Sequence, residues 1–220
     1  MYRYVEDKEF LKRAQGCCSE LMHELEDELR DSGIKSQFFL VGSGARNMVT
    51  QNKEESIDFD YNLNILDCED FRDCKSIKQD VINAFNYVMR NNNLATVDDS
   101  TSSITTKKIY FRDDPSIEFS MDVCIVTKDH DDKWLRLIHK KGPTSYYDEY
   151  FWNIAPHSKN YTEKAKVIKS VPGGWERVRT QYIKIKNRYL TQNDHNHPSF
   201  ICYVEAVNNV YHQMKAKKII

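Results

Sequence analysis

The run from Ser56 to Leu66 constrains the fold of this chain more than any other segment. It alternates strictly between hydrophobic and polar residues, in the order Ser-Ile-Asp-Phe-Asp-Tyr-Asn-Leu-Asn-Ile-Leu. A period of two predicts a β-strand with one buried face and one polar face. The polar face carries Asp58 and Asp60, two positions apart, so both carboxylates are expected to project from the same side of a β-sheet.

The segments around this strand predict further strands and the helices that cover them. Hydrophobic residues at steps of three and four predict an amphipathic helix over Asp7–Arg30 and another over residues 76–90. Apolar runs predict strands at Phe38–Val41, Ile104–Phe111 and Ile117–Val126, the last two joined as a hairpin by a turn. The expected fold class is therefore α/β (α+β), with a sheet flanked by helices.

The second part of the chain has a different character. From about Asp129 onward the sequence predicts helices rich in aromatic residues, including clear helices over Trp175–Leu190 and from Pro198 to about Met214. We therefore expect a core over residues 1–128 and a helical C-terminal lobe over residues 129–220, packed on that core.

Charge and hydropathy exclude two classes of protein. The chain of 220 residues has 32 Lys and Arg against 33 Asp and Glu, a net charge of −1, which excludes a protein coated with positive charge throughout. No apolar run approaches the ~20 residues that span a bilayer, so no membrane partner is expected. The six cysteines form no Cys-x-x-Cys pair, which favours reduced thiols and a cytoplasmic location.

Glycines concentrate where a predicted strand ends. Two of the seven glycines fall in Val41-Gly-Ser-Gly-Ala-Arg46, and a helix is expected to begin within Ala45–Gln51. Glycine lets the backbone approach a ligand closely, and the amides of a helix N-terminus attract phosphate. The turn is therefore a candidate phosphate site, and an ordinary tight turn is the alternative, since short glycine motifs are weak signals.

The paired aspartates are candidate metal ligands. Two carboxylates held together on one strand repel each other unless a cation or protons neutralise them, and Mg²⁺ prefers such oxygen ligands. Asn62 and Asn64 continue the same polar face. A solvated face without a metal is therefore the alternative interpretation of Asp58 and Asp60.

A third acid lies far along the chain. Asp122 is embedded in the apolar run Ile117–Val126, where a carboxylate needs a partner or a metal. If that strand lies beside residues 56–66, Asp122 completes a set of three carboxylates that can hold two metal ions. Glu118, on the same face of the predicted strand, is the alternative third ligand.

The combination of a glycine turn, two aspartates on one strand and a distant third aspartate resembles the nucleotidyltransferase superfamily that includes DNA polymerase β. The resemblance rests on Gly42-Ser43, Asp58-Phe-Asp60 and Asp122, and it covers roughly residues 34–126. The run Leu40-Val-Gly-Ser-Gly-Ala-Arg-Asn47 is also similar to the turn of CCA-adding and antibiotic nucleotidyltransferases.

The resemblance implies a mixed sheet flanked by helices, a magnesium or manganese ion and a nucleoside triphosphate, with ATP as the expected nucleotide. Asp58, Asp60 and Asp122 would be the catalytic, metal-binding residues, and Asp122 would also be the candidate base. The residues implied at the triphosphate are Gly42, Ser43, Gly44 and Arg46. The reaction would move a nucleoside monophosphate from the triphosphate to a hydroxyl group of an acceptor and release pyrophosphate.

The C-terminal part contributes further candidates. Residues 163–190 contain eight Lys or Arg and two Glu, and Lys184 and Arg188 lie on one face of the predicted helix. They are candidates for binding the triphosphate or a phosphate-rich acceptor, and a solvated helix face is the alternative. His195 and His197 are candidates for contacting metal or substrate, and a capped connection into the last helix is the alternative.

Two functions therefore stay open at this point. The first is a metal-dependent nucleotidyltransferase, for which a small hydroxylated acceptor such as an antibiotic is favoured, and an RNA end or a protein side chain is the alternative. The second is a catalytically inactive nucleotide-binding or partner-binding module on the same fold. Three intact acids favour the enzyme, because a degenerate site has no need to keep three costly carboxylates.

Overall fold

The structure is a computed structural model that describes residues 1–155, 160–194 and 197–220, with the main chain alone for residues 114–116. The strands are Tyr2–Tyr4 (β1), Lys35–Leu40 (β2), Thr50–Asn52 (β3), Ile57–Asp67 (β4), Asp98–Asp99 (β5), Ile104–Thr105 (β6), Ile109–Phe111 (β7), Asp114–Lys128 (β8), Trp134–Lys140 (β9) and Glu149–Ile154 (β10). The α-helices are Lys8–Asp31 (α1), Cys74–Asn91 (α2), Tyr161–Lys169 (α3), Gly174–Thr191 (α4) and Ser199–Ala216 (α5).

The chain divides into two compact units. The sheet unit comprises Val5–Val49 and Glu54–Ala155, and the helical unit comprises Met1–Tyr4, Thr50–Lys53 and Pro156–Ile220. The division that the sequence suggested at residue 128 differs from this one. Helix was expected from Asp129 onward, and this expectation is wrong for β9 and β10, which pair with each other in the sheet unit.

A mixed sheet organises the sheet unit. Its strand order is β10-β9-β8-β4-β2, with β4 and β8 parallel and the other neighbours in this order antiparallel. The short strands β6 and β7 pair with β8 on the edge that it also shares with β9. The predicted α/β (α+β) class with a mixed sheet is confirmed.

The alternation of β4 and β8 creates one hydrophobic face, against which the helices pack. From β4, Phe59 and Leu63 are fully buried, as are Met121 and Val123 from β8. Seven residues of α1 join this core: Phe10, Ala14, Cys18, Leu21, Met22, Leu25 and Leu29. Because α1 and α2 contribute to the core on this side, the polar residues of β4 and β8 project from the opposite face of the sheet.

The helical unit has its own small core. Helix α4 buries Val178, Tyr182 and Ile185, and α5 buries a stripe that includes Ala206 and Val210. The antiparallel pair β1 and β3 belongs to this unit. No helix among the described residues is long and apolar enough to cross a membrane.

Candidate active site

The register of β4 against β8 brings the three predicted acids together. Asp60 pairs directly with Asp122 across the parallel strands, and Asp58 pairs with Ser120. Partners in register project from the same face, so the three carboxylates share the polar face of the sheet. The strand neighbourhood expected from the sequence is therefore present, and the three acids lie on one face of the sheet.

The alternative third ligand is engaged elsewhere. The Glu118 carboxylate is paired with Lys108, whose Nζ lies 2.6 Å from Oε2. Pairing between β4 and β8 begins only at Ile57 and Phe119, so Glu118 precedes the paired region. Asp122 is consequently the third acid of the candidate site.

Asp60, the central acid of the three, has a raised pKa. Burial, together with the neighbouring carboxylates Asp122 and Asp58, raises the pKa of Asp60 to about 6, against the opposing effect of Arg46 and Arg136. A carboxylate surrounded in this way favours protonation or a bound cation. A perturbed pKa within a cluster of acids is a recognised mark of a functional site.

The two outer acids have hydroxyl partners. The hydroxyl of Ser120 donates to Oδ1 of Asp58, and the hydroxyl of Thr105 on β6 donates to Oδ1 of Asp122 over 2.5 Å. These bonds fix the orientation of both carboxylates.

The glycine turn rests directly on the central acid. Gly42 has a positive φ of 63°, and a Cβ placed there would lie 1.9 Å from Oδ2 of Asp60. Any side chain at this position would displace that carboxylate. The amide of Val41 also donates to the main-chain oxygen of Asp60 over 2.8 Å. The glycine turn therefore lies directly against the central acid.

The turn itself differs from the predicted one. A single 3₁₀ turn over Gly44–Arg46 replaces the α-helix expected within Ala45–Gln51, and that expectation is wrong. The physical reason is that Asn47 adopts a left-handed conformation with φ 55°, after which the chain enters β3. The predicted binding of phosphate would therefore depend on the amides of the turn, because a single turn has little dipole.

Arg46 braces this turn. Its Nη1 donates to the main-chain oxygen of Gly42 over 2.6 Å, and its charge lowers the pKa of Asp60. In the structure Arg46 therefore stabilises the conformation of Gly42. Its predicted contact with the triphosphate stays a prediction.

The basic candidates belong to the helical unit. Arg188 Nη2 contacts both carboxylate oxygens of Glu205, at 3.0 and 2.9 Å, whereas Lys184 is exposed. Since Glu205 already engages Arg188, Lys184 is the better of the two candidates for a phosphate. Their binding to a nucleotide stays a prediction.

The two candidate histidines have different outcomes. His195 lies outside the described residues. The ring of His197 stacks on Tyr189 with 3.5 Å between centroids, and its Nδ1 lies 2.8 Å from Asp194 Oδ2. These contacts favour a packed connection into α5 as the role of His197.

Sequence reasoning missed three residues of the site: Thr105, Ser120 and Arg136. Ser120 alternates with Asp122 on the same face, and this signal was visible. Arg136 lies on β9 opposite Val126, and it was missed because helix was expected there. Thr105 had no local signal, since its role depends on β6 pairing with β8.

The three carboxylates supply oxygen donors that suit a divalent cation, but they do not form a preformed metal site. Among the described residues, no three His, Cys, Asp or Glu side chains converge closely enough to form a ready-made metal site. The outer carboxylates instead bond to hydroxyls. Three carboxylates with a raised central pKa are nevertheless a hard-oxygen donor set, which fits Mg²⁺ or Mn²⁺.

Comparison with known proteins gives matches among solved structures. The chain aligns with Vibrio cholerae DncV in its 3′-deoxy ATP bound form at 16% identity and a TM-score of 0.55, covering 94% of this chain and 53% of that one. It aligns with E. coli MS115-1 CdnC with ATP at 17% identity and a TM-score of 0.54, covering 92% and 61%. The chain has a nucleotidyltransferase fold.

A third match has the same nucleotidyltransferase fold. The Elizabethkingia meningoseptica CdnE cyclic dinucleotide synthase with GTP and Apcpp aligns at 16% identity and a TM-score of 0.52, covering 88% of this chain and 68% of that one. This chain spans about half to two thirds of the length of these three structures. No protein-family model and no curated protein matches it.

Proposed function

We propose that the chain is a divalent-metal-dependent nucleotidyltransferase. It would move a nucleoside monophosphate from a nucleoside triphosphate to a hydroxyl group and release pyrophosphate. The observation that carries this proposal is the register of β4 and β8, which sets Asp60 beside Asp122 while Gly42 lies against the Asp60 carboxylate. The nucleotidyltransferase fold supports the same class of reaction.

Asp58, Asp60 and Asp122 would hold the metal. When bound, Mg²⁺ would lower the pKa of the acceptor hydroxyl and neutralise charge on the phosphates. The raised pKa of Asp60 reflects burial and the repulsion from Asp122 and Asp58, and a cation would relieve that repulsion. The Ser120 and Thr105 hydroxyls would keep the outer carboxylates oriented, as partners of metal ligands do.

The chain's own groups would position the nucleotide and move one proton. The amides at Gly42, Ser43 and Gly44 would bind the triphosphate, with Arg46 keeping the turn in shape. The acceptor oxygen forms a bond to the α-phosphorus, and the bond from that phosphorus to its bridging oxygen breaks, so pyrophosphate leaves. The hydroxyl proton passes to the carboxylate of Asp122.

A second nucleotide is the acceptor that the comparisons favour. The sequence favoured a small hydroxylated molecule such as an antibiotic, with an RNA end or a protein side chain as the alternative, and it did not single out a nucleotide. The likeness to a CdnE cyclic dinucleotide synthase supports this choice. ATP stays the expected donor. The cytoplasmic location also stays a prediction, supported by the free state of all six cysteines.

The hydroxyl partners of Asp58 and Asp122 favour a second candidate function. A site whose outer acids are already bonded could bind nucleotide without turnover. This candidate is a nucleotide-binding or partner-binding module on the same fold.

One experiment separates the two functions. The purified full chain is incubated with each nucleoside triphosphate labelled in its α-phosphate, with Mg²⁺ or Mn²⁺, and pyrophosphate and phosphatase-resistant label are measured. The proposal predicts both products from the wild type and neither from Asp122→Asn. Nucleotide binding without either product would establish the binding module, and absence of nucleotide binding with both metals would contradict both functions.

A further inference from the structure

The two units of the chain carry opposite charge. The residues of the helical unit include 14 Lys and Arg but only four Asp and Glu, a formal surplus of ten positive charges. The sheet unit holds the other 18 basic and 29 acidic residues, a deficit of eleven. The near-neutral chain is therefore the sum of two strongly charged parts. Such asymmetry is typical of proteins that bind nucleic acid or membrane surfaces.

The few acids of the helical unit are already engaged within it. Glu163 lies 3.3 Å from Lys166, Glu176 lies 3.4 Å from Arg179, Glu205 lies 2.9 Å from Arg188, and Asp194 lies 2.8 Å from His197. The basic residues of the unit therefore outnumber the acidic residues that are available to pair with them within it.

Much of this surplus is exposed to solvent. The exposed basic residues of the unit include Arg3, Lys53, Lys169, Arg177, Lys184, Lys215, Lys217 and Lys218. They are distributed over all three helices, the chain after α5, and the segments of β1 and β3. Exposed cations in excess of the acids of the unit add up to a positive field around it.

The wide distribution of the exposed basic residues indicates a large binding partner. One triphosphate contacts a few neighbouring cations, whereas these residues are spread along three helices of 9, 18 and 18 residues. A chain of regularly spaced phosphates is the ligand that neutralises many separated cations at once. A nucleic-acid backbone has this chemistry.

We propose that the helical unit binds the phosphate backbone of a nucleic acid. The interaction is a sequence-independent contact between exposed Lys and Arg side chains and successive phosphates. It requires neither a metal ion nor a nucleoside triphosphate, so it stands independently of the nucleotidyltransferase proposal. Its contacts release counterions, which makes the affinity depend steeply on salt.

The test is fluorescence anisotropy of the full chain with labelled single-stranded RNA, duplex RNA and duplex DNA, without Mg²⁺ or nucleotide. Four phosphate contacts would lower the affinity about 100-fold between 50 and 200 mM salt. The triple variant Arg177→Glu, Lys215→Glu and Lys217→Glu is expected to lose at least tenfold in affinity. The matched control, Lys8→Glu, Lys12→Glu and Lys75→Glu, reverses three exposed charges on the sheet unit and is expected to bind like wild type.

Each other outcome would overturn the proposal. Equal loss in the variant and the control would show general charge attraction without a site on the helical unit. Binding to anionic vesicles but to none of the three nucleic acids would assign the surface to a membrane. Salt-sensitive self-association without nucleic-acid binding would assign it to the acidic unit of a second copy. Thermal unfolding of each variant verifies that it is folded.

Discussion

Replacing the central acid tests the electrostatics of the site directly. Asp60→Asn keeps the shape of the side chain against Gly42 and removes its charge. The pKa of Asp60 is raised from 3.8 to about 6 by burial and by Asp122 and Asp58, so its ionisation opposes folding at neutral pH. The difference between 3.8 and about 6 corresponds to roughly 3 kcal/mol, which is an upper bound on the free-energy cost of ionising Asp60 in the folded protein.

The pH dependence predicts which of the two proteins, wild type or Asp60→Asn, is the more stable at a given pH. The folded-state pKa lies above the unfolded one, so wild type binds more protons when folded between about pH 4 and pH 6. Its stability therefore falls as the pH rises through this window. Asp60→Asn lacks this loss, so the variant is expected to exceed wild type by about 1–3 kcal/mol at pH 8 and by much less at pH 4.5.

The assay is urea unfolding of both proteins at the two pH values, without divalent metal. Asp67→Asn, an equal charge change at the exposed end of β4, is the control and should stay within about 0.5 kcal/mol of wild type. Mg²⁺ should stabilise wild type at pH 8 and have little effect on Asp60→Asn. A variant no more stable than wild type at pH 8, or equally stabilised at both pH values, would refute the reasoning.

Three further changes probe other parts of the account. Thr105→Val removes the hydroxyl that orients Asp122 and should weaken Mn²⁺ binding by about 10–100-fold in calorimetry, with recovery in Thr105→Ser; unchanged binding would contradict its role. Gly42→Ala should abolish nucleotidyl transfer and lower the free energy of unfolding by about 1–3 kcal/mol. The control Gly33→Ala, also at positive φ but with open space around it, should leave transfer intact, and equal effects of the two variants on transfer would contradict the clash with Asp60. Lys78→Met removes a buried ammonium that lies 2.8 Å from a carboxylate of β5 and should cost about 2–4 kcal/mol in urea unfolding, and a neutral result would show that the pair is not stabilising.

The two strands that carry the acids could be predicted because their signals are local. The alternation of residues 56–66 and of Ile117–Val126 specifies which side chains are buried, whatever the partner strand. The same alternation placed Asp58, Asp60 and Asp122 on polar faces. That these faces coincide depends on the parallel register of β4 and β8, which no local pattern specifies.

The errors arose where long-range pairing decides the structure. Strand β9 alternates weakly, and the aromatic residues of β10 also suit a helix core, so the pairing between these strands was missed. The segment after Arg46 forms a strand because Thr50–Asn52 pairs with Tyr2–Tyr4, nearly fifty residues earlier. Hydrophobic periodicity does not reveal such long-range pairing. For the same reason, the boundary suggested by the sequence at residue 128 differs from the division between the two units.

The most direct test of the central claim is anomalous diffraction from crystals soaked with Mn²⁺ and a non-hydrolysable nucleoside triphosphate. The account predicts manganese bound to Asp58, Asp60 and Asp122, with the triphosphate against the turn at Gly42-Ser43. Manganese bound elsewhere, or a nucleotide bound away from this turn, would contradict it.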